Sequence, residues 1–282
     1  MADYYHWVDG TGPCKSRPLR KHPTDGGRSR NSFGSPEFFE LLRATGAEGL
    51  ITVNAGTGTA AEAAAWVAYA NRADGFVQPI GIKWWEVGNE LYLPGNPNEP
   101  KITVTPEVYA QRFVEFSRAM RAVDPSIRAI AIGVAKSHRG PDTEYPDWTE
   151  KLLQRVAPDI DMIAVHNASF PMLSKVRQPP VDEVYPALWA APEAVDRSLT
   201  RLERLIARYE GKRKIGIAVT EWGGTVLTAA LRSLLVRPCE DSRLGRVYRP
   251  PAAGVHVPSP SGAGELFQVR GSGLHGLGRL CR

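Results

Sequence analysis

Two glutamates in this 282-residue sequence each follow a short apolar segment. Glu90 ends the segment WWEVGNE, and Glu221 directly follows the segment IAVT. A single glutamate after a strand is usually a solvated loop residue. Two glutamates at the same end of a parallel sheet match the requirement of glycoside hydrolysis, in which one carboxyl group protonates the leaving oxygen and another, ionised, attacks. Glu90 and Glu221 are therefore the candidate catalytic pair.

The elements that would position this pair alternate between strand and helix from residue 35 to residue 222. Nearly continuous apolar segments predict buried parallel strands, and helical segments of about ten or more residues separate them. The predicted strands lie within residues 49–54, 82–88, 127–133, 161–166 and 214–220. The predicted helices begin near residues 35, 59, 105, 147 and 192. This alternation indicates an α/β fold built on a parallel sheet.

Polar and aromatic side chains collect where the predicted strands end. Asn54, Asn89, His166 and Trp222 each stand at the carboxyl end of a different predicted strand. In barrels and in open sheets of the α/β class alike, ligands bind at this end of the strands. We therefore expect a single ligand-binding site there.

Composition excludes several classes of protein. Hydrophobic residues make up 43% and charged residues 23% of the chain, which is close to globular usage and unlike a wholly disordered, collagenous or coiled-coil protein. No segment approaches the roughly 18 apolar residues of a membrane span, and the first residues lack the apolar core of a signal peptide. We therefore expect a cytoplasmic protein with no membrane partner. The three cysteines lack metal-ligand spacing and support neither a zinc site nor a disulfide framework.

Residues 231–282 differ in kind from the rest of the chain. They contain eight arginines and three acidic residues, which accounts for the whole formal net charge of +5. The preceding residues are balanced in charge, a distribution that does not support a nucleic-acid partner. The sequence predicts a catalytic part over residues 1–230. It also predicts a basic Gly/Pro/Arg/Ser-rich tail over residues 231–282, either disordered or an aberrant, frame-shifted end.

Four parts of the sequence are similar, in order, to motifs of the α-L-arabinofuranosidases of glycoside hydrolase family 51. That family belongs to the clan of retaining (β/α)8 glycosidases. WEVGNE at residues 85–90 resembles the acid/base signature of the clan, and TEWG at residues 220–223 resembles its nucleophile strand. Two further parts resemble the family more specifically. They are ITVNAGTGT at residues 51–59 with EAAAWVAYAN at residues 62–71, and DMIAVHN at residues 161–167. The similarity extends over about residues 3–230.

The resemblance implies a TIM-type (β/α)8 barrel that releases terminal L-arabinofuranose from arabinose-containing polysaccharides or oligosaccharides, without metal or other cofactor. It implies Glu90 as general acid/base and Glu221 as nucleophile. Asn89 would bond the sugar hydroxyl next to the anomeric carbon, and His166 would line the site. Asn54 and Trp222 are weaker candidates for the wall, and a homo-oligomer is compatible with the resemblance. Two alternatives stay open, because His166 could be a buried core histidine and Asn54 could tie down its own turn.

The resemblance also predicts what this barrel lacks. In the family, two strands and an arabinose-holding motif precede the segment like DYYHW at residues 3–7, and strand eight and a β-sandwich follow the nucleophile. A tyrosine usually follows the strand-six histidine, where this chain has ASF at residues 168–170. We therefore expect an incomplete barrel, with the first two strands and strand eight not evident.

Two other functions compete with catalysis. The expected gaps in the barrel favour an inactive or merely sugar-binding fragment. The segment GTGTAA at residues 56–61 fits the GxGxxA fingerprint of dinucleotide-binding proteins, with Asp74 as the acidic partner. That motif would make the chain a nucleotide-binding oxidoreductase, but it leaves Glu90 and Glu221 without a role.

Overall fold

A five-stranded parallel sheet forms the centre of the computed structural model. The structure describes residues 2–21, 28–72, 79–93, 102–135, 147–166, 172–173, 181–221 and 225–226. The strands of the sheet, in chain order, are β1 (Leu50–Val53), β2 (Trp84–Val87), β3 (Arg128–Ile132), β4 (Met162–Val165) and β5 (Gly216–Val219). Their order in space is the same, and every neighbouring pair is parallel. The predicted α/β fold with its five buried strands is therefore confirmed.

Helices follow four of the strands and cover the sheet. The helices are α1 (Ser35–Thr45), α2 (Ala60–Asn71), α3 (Pro106–Val123), α4 (Trp148–Val156) and α5 (Val181–Ile206). Helices α2 and α3 begin where their caps predict, because the hydroxyl oxygens of Thr59 and Thr105 each accept a backbone N–H in the first turn. These bonds satisfy donors that a helix start leaves without intrahelical partners.

Helix α1 begins where predicted, with a glycine at its cap, whereas the start of α5 differs from the prediction. Helix α1 includes Ser35, and the residue before it, Gly34, takes the cap position and donates its N–H to Glu37 Oε2 at 2.8 Å. Helix α5 begins at Val181 rather than near residue 192, and it continues through Pro186 and Pro192. A proline inside a helix removes one backbone hydrogen bond. Sequence reasoning took the second proline as a boundary, whereas the folded chain keeps the helix on both sides of it.

Side chains from the helices bond directly to the backbone of the sheet. Tyr109 on α3 donates its hydroxyl to Val87 O at 2.7 Å and accepts the N–H of Ile132 at 2.9 Å. Trp148 on α4 donates its indole N–H to Ile132 O at 3.0 Å. Both side chains are fully buried. Each bond satisfies a polar group at a strand end that would otherwise be buried without a partner.

The sheet is curved like the wall of a barrel. Glu86 on β2 is buried and receives hydroxyl hydrogen bonds from Thr52 on β1 and from Thr220 directly after β5. Strands β1 and β5 are the two edges of this sheet. Residues in or directly after both strands nevertheless contact the same carboxylate, that of Glu86, which requires the sheet to curve around it. Within the described residues the sheet does not close, and β5 is half-exposed along most of its length.

The remaining described elements are short. An antiparallel pair joins Arg20–Lys21 with Arg28–Ser29, and a parallel pair joins Met172–Leu173 with Thr225–Val226. No helix among the described residues has both the length and the apolarity that crossing a membrane requires. The predicted tail, residues 231–282, lies outside the described part of the chain.

Candidate active site

Three side chains from three strand ends meet at the carboxyl edge of the sheet. Glu90 lies in the turn after β2, His166 directly after β4, and Glu221 two residues after β5. His166 Nδ1 lies 3.0 Å from Glu90 Oε1 and 3.7 Å from Glu221 Oε1. One oxygen of each glutamate and one ring nitrogen of His166 all lie within 4.8 Å of one another. The two glutamates singled out in the sequence therefore face each other across one imidazole.

The backbone of the β2 turn is strained at Glu90. The φ angle of Glu90, 47°, falls in the left-handed region, which residues other than glycine and asparagine rarely adopt. Gly88, two residues earlier, has φ 80°, and a Cβ there would lie 3.1 Å from Ala55 Cβ. Strain of this kind persists only where surrounding contacts enforce it, and it concentrates at functional sites.

Asp3 supplies contacts that enforce the turn. Its carboxylate accepts the backbone N–H of Asn89 at 2.7 Å and that of Ala55 at 3.1 Å, so it joins the turns after β2 and β1. The side chain is almost completely buried, and burial raises its pKa from 3.8 to about 7, although the backbone N–H groups that bond to the carboxylate lower it. Asp3 stood in the segment DYYHW, but nothing in that segment signalled that its side chain reaches Asn89.

His166 carries a positive charge at neutral pH. Burial alone would lower its pKa, but its pairing with Glu86 and Glu90, together with the negative charges of Glu86 and Glu221, raises the pKa from 6.5 to about 10. Its second ring nitrogen, Nε2, lies 3.0 Å from Thr220 Oγ1 and 3.7 Å from Glu86 Oε1. His166 is thus a buried histidine with both ring nitrogens bonded, as the core-histidine alternative requires, and its contact with sugar stays a prediction.

Sequence reasoning missed two buried residues beside this cluster. Glu86 lies inside strand β2 with its side chain 3% exposed, and a lone charge inside an otherwise apolar strand is the signal that could have found it. Tyr92 is also buried, and its burial and the charges of Glu90, Glu221 and Glu86 raise its pKa well above 10. Tyr92 therefore remains a neutral phenol beside the carboxylates.

The described trio could offer a nitrogen and two oxygens to a cation. A histidine must be neutral to ligate a metal ion. The raised pKa of His166 means that a cation would have to displace a proton from the ring at neutral pH.

Comparisons with known proteins agree with this geometry. The model of the "Alpha-L-arabinofuranosidase 1 domain" matches residues 1–166 of the chain. The chain belongs to this family of α-L-arabinofuranosidases. An "Intracellular exo-alpha-L-arabinofuranosidase" of Bacteroides ovatus is 30% identical over 240 residues, and "Alpha-L-arabinofuranosidase C" of Emericella nidulans is 34% identical over 182 residues. The family resemblance seen in the sequence is therefore confirmed.

The solved structures of family 51 arabinofuranosidases share the fold. The enzyme from Bifidobacterium longum superimposes with a TM-score of 0.68 at 20% identity, over 83% of this chain and 46% of that one. The match confirms the incomplete (β/α)8-type barrel. The chain spans less than half the length of its curated relatives. The alignments cover 79% of this chain and 44% of the Bacteroides protein, and 57% of this chain and 34% of the Emericella protein.

The other predicted binding residues of this arabinofuranosidase domain have different surroundings. Asn89 is half-buried between Gly88 and Glu90, and its backbone is held by Asp3. Asn54 is buried and bonds within its own turn, accepting the N–H groups of Thr57 at 2.9 Å and Gly58 at 3.0 Å. Asn54 therefore holds its own turn, as the alternative interpretation expected. Its contact with sugar stays a prediction. Trp222 lies outside the described residues.

Two amides of the glycine-rich loop after β1 are already bonded within the protein. The N–H of Thr57 is bonded to Asp3 O and Asn54 Oδ1, and the N–H of Gly58 to Asn54 Oδ1. A Cβ at Gly56 would lie 2.6 Å from Asp3 Cβ, so this glycine is required for packing. Dinucleotide-binding loops need these amides for the pyrophosphate. The loop geometry thus argues against the oxidoreductase alternative.

Proposed function

We propose that this chain carries the catalytic residues of a retaining glycoside hydrolase that releases terminal L-arabinofuranose from arabinose-containing polysaccharides or oligosaccharides. The observation that carries the proposal is the approach of Glu90 and Glu221 within 4.8 Å, oxygen to oxygen, across His166. Retaining glycosidases keep their two carboxyl groups about 5 to 5.5 Å apart, whereas inverting enzymes need about 6.5 Å or more to admit a water molecule. The short separation supports direct attack by one carboxylate on the sugar.

In the first step Glu221 is the nucleophile and Glu90 the acid. A carboxylate oxygen of Glu221 forms a bond to the anomeric carbon while the glycosidic carbon–oxygen bond breaks. The proton of Glu90 passes to the departing oxygen. The products of this step are a glycosyl-enzyme ester on Glu221 and an ionised Glu90.

In the second step Glu90 acts as a base. It takes a proton from a water molecule, whose oxygen attacks the anomeric carbon as the ester bond to Glu221 breaks. Arabinose leaves with its configuration retained, and both glutamates return to their starting protonation states. His166 faces both carboxyl groups, and its positive charge stabilises whichever of them is ionised at each stage.

The proposal is tested with an aryl α-L-arabinofuranoside and two variants of the full chain. Glu221→Ala should form no covalent intermediate. Glu90→Ala should form it from a substrate with an activated leaving group and then stall, and added azide should restore turnover to give a glycosyl azide of retained configuration. Glu193→Ala, which removes an exposed glutamate on α5, serves as the control. Retention after azide rescue of Glu221→Ala would overturn the assignment, and loss of full activity on adding EDTA would overturn the metal-free mechanism.

A second candidate is a fragment that binds sugar without turning it over. Its support is the sheet, whose described strands leave two edges. Saturable binding of L-arabinose with no turnover of the aryl substrate would favour it. Turnover that depends on Glu221 would exclude it.

Two finer expectations belong to the same proposal. Asn89 is expected to bond the sugar hydroxyl next to the anomeric carbon, and its position directly before Glu90 supports this role. A cytoplasmic location is also proposed, and the printed name of the Bacteroides relative describes that protein as intracellular.

A further inference from the structure

We propose that Glu86 is a positioning residue that keeps the His166 imidazole doubly protonated, with Nδ1–H directed at Glu90. The proposal rests on the function proposed above for Glu90 and Glu221, but it concerns a residue that never reaches the sugar. Glu86 lies within strand β2, below the carboxyl edge of the sheet, and its side chain is 3% exposed.

Two threonine hydroxyl groups lie within hydrogen-bonding distance of the Glu86 carboxylate. An ionised carboxylate can only accept hydrogen bonds. Thr52 donates its hydroxyl to Glu86 Oε2 at 3.1 Å, and Thr220 donates its hydroxyl to Oε1 at 3.4 Å. The Thr220 hydroxyl has a single hydrogen, and in the proposed arrangement the contact with Glu86 uses it. Its oxygen is left as an acceptor for any other neighbour.

That neighbour is His166. Nε2 lies 3.0 Å from Thr220 Oγ1, and with the Thr220 hydrogen directed at Glu86 the ring nitrogen is the donor in this contact. On the other side of the ring, Nδ1 lies 3.0 Å from Glu90 Oε1, and a proton on Nδ1 completes that bond when Glu90 is ionised. An imidazole that donates from both nitrogens is an imidazolium. In this arrangement the chain of bonds from Glu86 through Thr220 favours the charged ring.

Charge acts in the same direction as the hydrogen bonds. Glu86 faces His166 from β2, Glu90 from the following turn and Glu221 from the end of β5, with nearest approaches of 3.7, 3.0 and 3.7 Å. Of these three, Glu86 is the one whose charge stays constant in the proposed reaction, because Glu90 exchanges a proton and Glu221 becomes an ester. Glu86 therefore supplies a permanent partner for the imidazolium while the other two change state.

The test follows the protonation of His166 by NMR, which does not depend on turnover. In the full chain, the His166 signal is assigned through its absence in His166→Gln and titrated between pH 5 and pH 11. The unsubstituted protein should titrate near pH 10, as the raised pKa of His166 implies. Glu86→Gln removes the charge but keeps the shape, and it should move the midpoint down by about two units or more. Glu48→Gln removes an equal charge from an exposed glutamate and should leave the midpoint in place.

Two further measurements keep the test decisive. If Glu86→Gln does not fold, Thr220→Val interrupts the bonds between His166 and Glu86 without changing any charge, and a midpoint lowered by about one unit or more is expected. Where the chain turns over substrate, Glu86→Gln should lower kcat about 10- to 100-fold with KM nearly unchanged. Glu86→Asp, which retains the charge, should recover part of the loss.

The outcomes separate this inference from the proposed function. An unchanged His166 midpoint in Glu86→Gln, or in Thr220→Val where Glu86→Gln does not fold, would overturn the role of Glu86 even if Glu90 and Glu221 prove catalytic. A lowered midpoint in a chain without turnover would support the role of Glu86 while contradicting the proposed activity.

Discussion

The two ends of the central sheet differ in how many positively charged partners their buried acidic residues have. At the amino end, Asp161 precedes β4, and its carboxylate accepts hydrogen bonds from three arginines and from one backbone N–H. At the carboxyl end, three glutamates share the single positive charge of His166. The amino end is electrostatically satisfied, and the carboxyl end is left with excess negative charge.

This difference indicates that the amino end of the sheet stabilises the fold, whereas the carboxyl end holds the reactive groups. Two of these arginines, Arg121 and Arg213, also donate to backbone oxygens of the loop that enters β4, and so hold that loop in place. At the other end, the left-handed backbone of Glu90 and the crowded carboxylates both cost folding free energy. Functional groups with incompletely compensated charge retain the ability to exchange protons. The comparison makes predictions for each end.

The largest expected effect is on activity at the carboxyl end. Glu221→Gln should reduce turnover of an aryl arabinofuranoside by about 10⁴-fold or more, because the nucleophile is lost. The same change removes a negative charge from a crowded group of carboxyl groups and should leave the melting temperature unchanged or raise it. A parallel drop in melting temperature would mean that Glu221 is structural, and the contrast between the two ends would fail.

The next effect is on stability at the amino end. Asp161→Asn should lower the free energy of unfolding by about 3 kcal/mol, because it removes a buried charge on which three guanidinium groups converge. Urea denaturation measures this loss. Glu193→Ala is the matched control, since its ion pair with Arg197 is exposed on α5 and should contribute less than about 0.5 kcal/mol. Equal losses in the two variants would contradict the prediction.

A pH-dependent effect is expected from Asp3, at the carboxyl end. Its pKa is about 7 in the folded protein and 3.8 ordinarily, so its contribution to stability is full below pH 3.8 and is lost as pH rises through 7. The free energy of unfolding should therefore fall between pH 4 and pH 7, by up to about 4 kcal/mol from this group. Asp3→Asn should flatten the slope in that window. An unchanged slope would show that Asp3 is ionised in the folded protein.

His166 should make the stability of the protein depend on pH in the alkaline range. Its pKa is raised to about 10, so the stability that it contributes is full below pH 6.5 and is lost as pH rises through 10. The two windows barely overlap, which allows Asp3 and His166 to be distinguished in one pH series of denaturation curves. His166→Gln should affect the alkaline window and leave the acidic one in place.

The smallest effect is expected for a single arginine at the amino end. Arg213→Ala should cost about 1 kcal/mol, because the side chain is 44% exposed and two other arginines still pair with Asp161. Urea denaturation at low and high salt measures it, and added salt should reduce the difference. A loss as large as that of Asp161→Asn would mean that Arg213 alone stabilises the carboxylate.

The sequence by itself determined the elements of the fold and the catalytic candidates. Apolar segments of strand length, alternating with capped helices, gave the five strands and most helix starts, because burial and capping are local properties of the chain. The start of α5 was predicted wrongly, because the helix continues through Pro186 and Pro192 despite the backbone hydrogen bond that each proline removes. Glu90 and Glu221 were visible because each acidic residue directly follows an apolar strand.

Only the tertiary structure decided which groups surround that pair. Asp3 is 86 residues before Asn89, and Thr220 is 134 residues after Glu86, and no sequence period relates residues so far apart. The curvature of the sheet brings its two edge strands to one carboxylate, and this makes Glu86 and His166 partners. Protonation depends on burial and on neighbouring charge, both of which arise when the chain folds. The sequence therefore contained the reacting groups, and the fold determined their charge.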